Sequence, residues 1–153
     1  MRKVLLIAVA VVACSKAETP ATDSATAASA PPPAPAALTA ADLSGTWNGT
    51  SKREGSDSTL SFTIINTSDS TGKVVFANSK DTIATTSKVD GDSVIVTSSA
   101  YRDMAAPKNA PKVMFRSVGR MKDGKLVGTA SLMPAAKPDT VVARATWEAT
   151  KAP

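Results

Sequence analysis

The residues that could perform chemistry are few in this chain of 153 residues. Histidine, the commonest general base and metal ligand, is absent, and the only cysteine is Cys14. Serines are abundant, but no Gly-x-Ser-x-Gly pattern accompanies them, so acyl transfer has no visible base. Asp90-Gly91-Asp92 offers two carboxylates, which a hairpin explains better than a calcium loop. The sequence therefore predicts a protein that is not an enzyme, with no metal site and no cofactor.

Cys14 ends a segment with its own character. Arg2 and Lys3 form a basic head, and an unbroken apolar run follows over residues 4–13. As a helix this run would be about 15 Å long, too short to cross a bilayer core of roughly 30 Å. A basic head, a short apolar core and small residues before a boundary are typical of a secretion signal. We therefore assign residues 1–13 to a signal peptide.

Val11-Val12-Ala13-Cys14 resembles the lipobox of bacterial lipoproteins. The resemblance implies cleavage before Cys14, a diacylglyceryl group on its thiol and an acyl chain such as palmitate on the new N-terminus. Two or more chains make a stable anchor in a membrane. Ser15 stands where an Asp often retains proteobacterial lipoproteins in the inner membrane, which favours the outer membrane, facing the periplasm. The alternative is an ordinary signal peptide that happens to contain a cysteine.

Composition divides the rest of the chain into a tether and a folded domain. Residues 14–41 are dominated by Ala, Pro, Thr and Ser, and Pro31-Pro32-Pro33-Ala34-Pro35 favours extended chain over helix. So little large apolar material cannot offset the entropy of ordering, which predicts a disordered tether. Residues 42–153 have the composition of one folded domain.

The folded domain repeats apolar residues with a period of two, which indicates β-strands. The clearest case is a segment that places Leu60, Phe62 and Ile64 on one face. Asp-Gly turns and short polar breaks predict antiparallel neighbours. The fold class is therefore all-β, an antiparallel meander that closes into an up-and-down β-barrel, with a β-sandwich as the alternative. Eight strands are predicted, over residues 45–50, 58–64, 73–77, 82–89, 92–99, 112–121, 125–133 and 140–150.

Gly45-Thr46-Trp47 resembles the Gly-x-Trp that opens the first strand of lipocalins and, as Gly-Thr-Trp, of avidin-like proteins. In that calycin-type superfamily a basic residue of the last strand often packs across the Trp and closes the barrel. The resemblance implies Arg144 or Lys151 for this role, and we take Trp47, Arg144 and Trp147 as candidate barrel-closing residues. Arg144 and Trp147 lie on opposite faces of the last predicted strand. The resemblance implies the barrel shape of this superfamily but no particular ligand, because the Trp-rich pocket of avidins is missing.

Positive charge is concentrated in residues 102–125, which hold seven basic and two acidic residues, while the whole chain has a net charge of +5. Arg116 and Arg120 share a strand face, which either faces solvent or, if turned inward, needs an anion. Tyr101 begins the long connection 101–111. Tyr101, Arg116 and Arg120 are therefore candidate contacts for a ligand or an anion.

Two functional hypotheses remain open. The first is a membrane-anchored lipoprotein, monomeric, whose barrel binds a small apolar or amphiphilic ligand, because the inward faces are rich in Ala, Ser, Gly and Val and leave room. The second is a structural or interaction lipoprotein with a filled core that acts through the basic surface 102–125 on an anionic envelope component. Neither hypothesis involves nucleic acid. The volume inside the barrel separates the two.

Overall fold

A computed structural model describes residues 37–67, 70–104 and 106–153. The predicted signal peptide, the lipidation site Cys14 and all but the last residues of the predicted tether lie outside these ranges.

The domain is a closed barrel of eight antiparallel strands in sequence order. The seam pairs the first strand with the last, from Trp47 opposite Lys151 to Arg53 opposite Ala145. The predicted all-β meander and its closure into a barrel are confirmed, and the alternative of a sandwich is wrong. The strands are β1 Gly45–Arg53, β2 Thr59–Asn66, β3 Thr71–Phe76, β4 Thr82–Asp90, β5 Ser93–Ser98, β6 Val113–Lys122, β7 Lys125–Pro134 and β8 Ala143–Lys151.

Alternation along each strand decides which side chains face the interior. Successive side chains of a strand point to opposite faces of the sheet. The register places the inward residues of one strand beside the inward residues of the neighbouring strand. Ile64 lies opposite Val74, which in turn lies opposite Ile83. Val96 lies opposite Ser117 on the other side of the barrel. Because large and small inward residues are mixed in this way, the interior is only partly filled.

Two tight turns at one end of the barrel contain the predicted Asp-Gly pairs. Asp123 and Gly124 have φ values of 51° and 77°, so both central residues of this turn are left-handed, as predicted. In the other turn the strands end at Asp90 and resume at Ser93, which makes Gly91 the first central residue, with a φ of 62°. Glycine adopts this left-handed conformation without a side-chain clash.

A short helix closes the same end of the barrel. Helix α1 (Ala40–Leu43) begins with a capping box between Thr39 and Asp42. Leu38 is buried and its N–H donates to the carbonyl of Gly91 at 3.0 Å. The tether predicted to reach residue 41 therefore gives way to the folded domain earlier. The reason is local: Leu38 and Leu43 bring large apolar side chains to the barrel, and the capping box satisfies the first turn.

The apolar core fills this closed end. Leu38, Leu43, Trp47, Val94 and Leu126 pack in one cluster, together with Phe62, Val74 and Ala149. Trp47 is 2% exposed, and its Nε1 donates to the carbonyl oxygen of Leu43 at 3.0 Å. The opposite end carries the longer connections 54–58, 77–81, 99–112 and 135–142. The barrel is therefore plugged at one end and bounded by loops at the other.

Candidate ligand-binding cavity

A cavity of about 430 Å³ occupies the loop-bounded part of the barrel interior. This volume lies in the range of small-molecule sites. Most of its lining is apolar, and five of the six aromatic residues of the chain contribute to it: Phe62, Phe76, Tyr101, Phe115 and Trp147. In a chain so poor in aromatic residues, their concentration on this surface leaves the closed end to aliphatic packing around Trp47.

The five aromatic rings form one connected series around the cavity. Phe62 is in edge contact with Phe76 and with Trp147, at centroid distances of 6.3 and 6.4 Å. Tyr101 lies 6.5 Å from Phe76 and 6.1 Å from Phe115. Three of these four pairs are edge-to-face and the Phe76–Tyr101 pair is tilted by 36°. Such contacts are favourable and hold the rings in defined orientations. The wall of the cavity is therefore preorganised by contacts among its own side chains.

Trp147 fits against the wall because two glycines lie beneath it. Gly119, Gly128 and Trp147 are aligned across three adjacent strands. A Cβ atom on Gly119 would lie 2.6 Å from two carbons of the indole, and one on Gly128 would lie 2.7 Å from it. A larger residue at Gly119 would push the indole toward the cavity, whereas at Gly128 it would also clash with the backbone carbonyl of Val118. The glycine pair therefore sets how much of the interior stays open.

Polar side chains inside the barrel are bonded to the wall itself. Ser117 Oγ donates to the carbonyl of Thr129 at 3.1 Å, and Ser98 Oγ accepts the N–H of Phe115 at 2.8 Å. Their hydrogen-bonding capacity is thus directed into the strands. Among the buried side-chain N and O atoms of the described residues, only Trp147 Nε1 has no partner. The interior surface therefore favours apolar groups, apart from this one indole N–H, which can donate to an acceptor.

Charged groups lie at the mouth of the cavity. Arg53 Nη2 contacts Asp103 Oδ2 at 2.8 Å, which ties the end of β1 to the long connection between β5 and β6. The carboxylate is only 18% exposed, whereas the guanidinium side chain is 43% exposed. Burial, with the nearby Asp103 carboxylate as the smaller cause, raises the pKa of Tyr101 to about 12. The phenol is neutral at physiological pH, and it lies near enough to the Arg53–Asp103 pair for both charges to affect its pKa.

The predicted barrel-closing residues are divided between the two ends. Lys151 Nζ lies 5.6 Å from the centroid of the Trp47 ring and 3.5 Å from the carbonyl oxygen of Asp42. Lys151, and not Arg144, is thus the basic residue over Trp47. Arg144 is exposed at the loop-bounded end and contributes to the lining of the cavity, although its position on β8 alternates with that of Trp147. Trp147 points inward and lines the cavity.

The predicted contact residues are likewise separated. Tyr101 lines the cavity, and its backbone bridges to Val113, which holds the start of the long connection against β6. Arg116 and Arg120 are exposed on the outer face of β6. A ligand inside the barrel would therefore meet Tyr101 and neither arginine.

Sequence reasoning missed the Arg53–Asp103 ion pair at the mouth. The two residues are fifty positions apart, on a strand end and in a loop, and no spacing pattern connects them. The alternation of β1 could have predicted the position of Arg53, because Arg53 lies six residues after Trp47 and therefore faces the interior as Trp47 does. A charged residue at an inward position beside a strand end indicates the mouth of a barrel.

The comparisons with known proteins found no similar one. No protein-family model, curated protein or solved structure matches this chain. In the part of the chain that the structure describes, no three Cys, His, Asp or Glu side chains come together in a way that could hold a metal ion. No helix within the described ranges has the length and apolar character needed to cross a membrane.

Proposed function

We propose that this chain is a cell-envelope lipoprotein, anchored through Cys14, whose barrel binds a small apolar or amphiphilic ligand. The observation that carries the proposal is the cavity of about 430 Å³, apolar and aromatic in its depth and charged at its mouth. A filled interior would favour the alternative, a structural or interaction lipoprotein that acts through the basic surface 102–125. The ligand's apolar part would lie against the aromatic series, and its polar part would meet Arg53, Asp103 and Tyr101.

Aromatic and aliphatic walls bind such ligands by removing apolar surface from water, at about 25 cal/mol per Å². The polar groups at the mouth then fix which end of the ligand stays outside. Arg53 is already paired, so an incoming anion would have to share its guanidinium with Asp103. A neutral or singly charged head group fits this arrangement better than a multiply charged one.

Native mass spectrometry of the segment 37–153 tests the proposal. All eight strand pairs lie within this segment, so it contains the complete barrel. We expect a bound mass of a few hundred daltons, or its uptake from an envelope lipid extract, and release on denaturation. A protein that stays bare after exposure to that extract would refute ligand binding.

Fluorescence distinguishes the cavity from the rest of the barrel. Trp147 lines the cavity whereas Trp47 lies in the closed end, so binding of an anilinonaphthalene sulfonate probe should quench Trp147. Trp47→Phe should keep the signal and Trp147→Phe should lose it. Ala145→Phe places a ring inside the cavity and should weaken binding about tenfold or more, because the ring occupies volume that the ligand would fill. Thr146→Phe adds the same ring outside and is the matched control.

The anchor has its own test. Labelled palmitate should be incorporated into the full-length protein and not into Cys14→Ser. Absence of label from the wild-type chain would refute lipidation and leave the cavity proposal unaffected.

A further inference from the structure

The outer face of β5, β6 and β7 has no acidic side chain at all. Alternation directs Arg116, Val118, Arg120 and Lys122 outward on β6, with Ile95 on β5 and Val127 on β7 beside them. We call this surface the basic wall. Acidic residues lie only at its borders: Glu148 on β8 stands opposite Val127, and Asp92 and Asp123 lie in the turns next to Ser93 and Lys122. Three adjacent strands thus present only cationic, apolar and hydroxyl groups to the outside.

The cations of the basic wall are available to a partner. Glu148 is paired with Lys125 at 3.8 Å, which neutralises the end of the wall. Within the described residues, Arg116, Arg120 and Lys122 form no ion pair. Arg116 and Arg120 are four residues apart on one strand, so their Cα atoms are separated by about 13 Å. Their charges are therefore spread over a surface rather than directed at one small anion.

The apolar centre of the basic wall lies between these arginines. Val118 is 45% exposed and stands directly opposite Ile95 in the register. A lipid surface accepts both kinds of group, because cations meet anionic head groups while apolar side chains enter the boundary with the acyl chains. An acidic polymer would use the arginines and gain nothing from Val118. The combination favours a membrane.

We propose that the basic wall docks this barrel sideways onto an anionic lipid surface, with Arg116, Arg120 and Lys122 on head groups and Val118 at the acyl boundary. The inference stands on the outer face and does not require the cavity to hold a ligand. Cys14 precedes Leu38 by 24 residues, which is enough chain for an anchored barrel to reach the same membrane.

Binding of the segment 37–153, which lacks Cys14, to vesicles tests the docking surface. The probe is vesicles of phosphatidylglycerol and phosphatidylcholine, compared with vesicles of phosphatidylcholine alone. Each basic residue at an anionic surface contributes roughly fivefold to partitioning. Arg116→Gln with Arg120→Gln should therefore weaken binding to the anionic vesicles by about 25-fold. Val118→Ser should weaken it by about threefold, since it removes apolar contact.

A matched double variant controls for net charge. Lys73→Gln with Lys80→Gln removes two exposed charges from β3 and the connection that follows it, three strands away from β6 around the barrel. At physiological salt the screening length is about 8 Å, so these charges should matter less than twofold. Equal losses in the two double variants, or no binding to anionic vesicles, would overturn the proposal.

An acidic polysaccharide separates the two kinds of partner. Soluble alginate should compete only weakly, and any binding to it should be indifferent to Val118→Ser. Tight alginate binding with the same arginine dependence, together with weak vesicle binding, would assign the wall to a polymer and refute membrane docking. All of these substitutions lie at exposed or partly exposed outward positions, so unchanged circular dichroism and melting temperature verify that the barrel remains folded.

Discussion

Substitution of Gly119 by alanine tests how the cavity wall is built. The new Cβ would lie 2.6 Å from the Cζ2 and Cη2 atoms of Trp147, and its next neighbour is the Val127 carbonyl oxygen at 3.4 Å. Optimal carbon–carbon separations are about 3.5–4.0 Å. The indole must therefore move by about 1 Å, away from β6 and toward the cavity, while the surrounding backbone can stay in place.

The expected cost follows from two opposing effects. Forcing an extra methyl group into a packed interior costs about 1–3 kcal/mol. Replacing glycine by alanine at a position without a left-handed φ restores about 0.4–1 kcal/mol by restricting the unfolded chain, and Gly119 is not among the positive-φ glycines. The clash prevails, and Gly119→Ala should lower the free energy of unfolding by about 1–2 kcal/mol.

A double-mutant cycle in urea assigns this cost to the indole. Trp147→Phe removes the two carbons that the methyl group would meet, and Trp47 remains as the fluorescent reporter of unfolding. In that background Gly119→Ala should cost less than about 0.5 kcal/mol, so the coupling energy should be at least about 0.5 kcal/mol. A cost that is the same in both backgrounds would refute the view that Trp147 rests on the glycine pair.

Three further predictions concern the two ends of the barrel. Lys151→Met should lower the free energy of unfolding by about 0.5–1 kcal/mol by removing the cation–π contact, whereas equal stability would show that the contact contributes nothing. Tyr101 is the only tyrosine, so the absorbance of its phenolate should report a pKa near 12 directly. The raised pKa contributes folding stability that is present below pH 10 and lost as the pH rises through 12. Asp103→Asn should lower that pKa without returning it to 10, because burial is the larger cause, and a midpoint at 10 in the folded variant would contradict this. Asp42→Ala should lower the melting temperature at neutral pH, because hydrogen bonds from Thr39 hold the pKa of Asp42 below 3.8. The difference in melting temperature between variant and wild type should disappear in acid, once the carboxylate is protonated. A difference that persists in acid would exclude the cap as its source.

The sequence specified the barrel well because its signals are local. Period-two alternation, as in Leu60-Ser61-Phe62-Thr63-Ile64, places side chains correctly whatever the strand pairs with. The Asp123-Gly124 turn fixes the register of its hairpin by itself. Alternation also predicted that Arg116 and Arg120 share one face, and only closure of the barrel decided that this face is the outer one.

The candidate site was harder to predict because it depends on pairs that are distant in the chain. Lys151 and Arg144 were equivalent candidates until the seam register placed Lys151 opposite Trp47. The Arg53–Asp103 pair requires a loop to fold back over the mouth, which no residue spacing encodes. The volume of the cavity likewise depends on where Trp147 lies relative to its glycines, and this is a property of three strands together.

The seam between β1 and β8 has a consequence for the order in which this chain can assemble. Seven strand pairs join neighbours in sequence, but the eighth joins residues about a hundred positions apart. Closing a loop of that length costs about 2 kcal/mol more than closing one of ten residues. During synthesis from the N-terminus, the growing meander therefore carries two unpaired edges until its last strand is complete. A chain that stops before Ala143 would keep both edges, and we expect it to associate through them rather than remain a monomer.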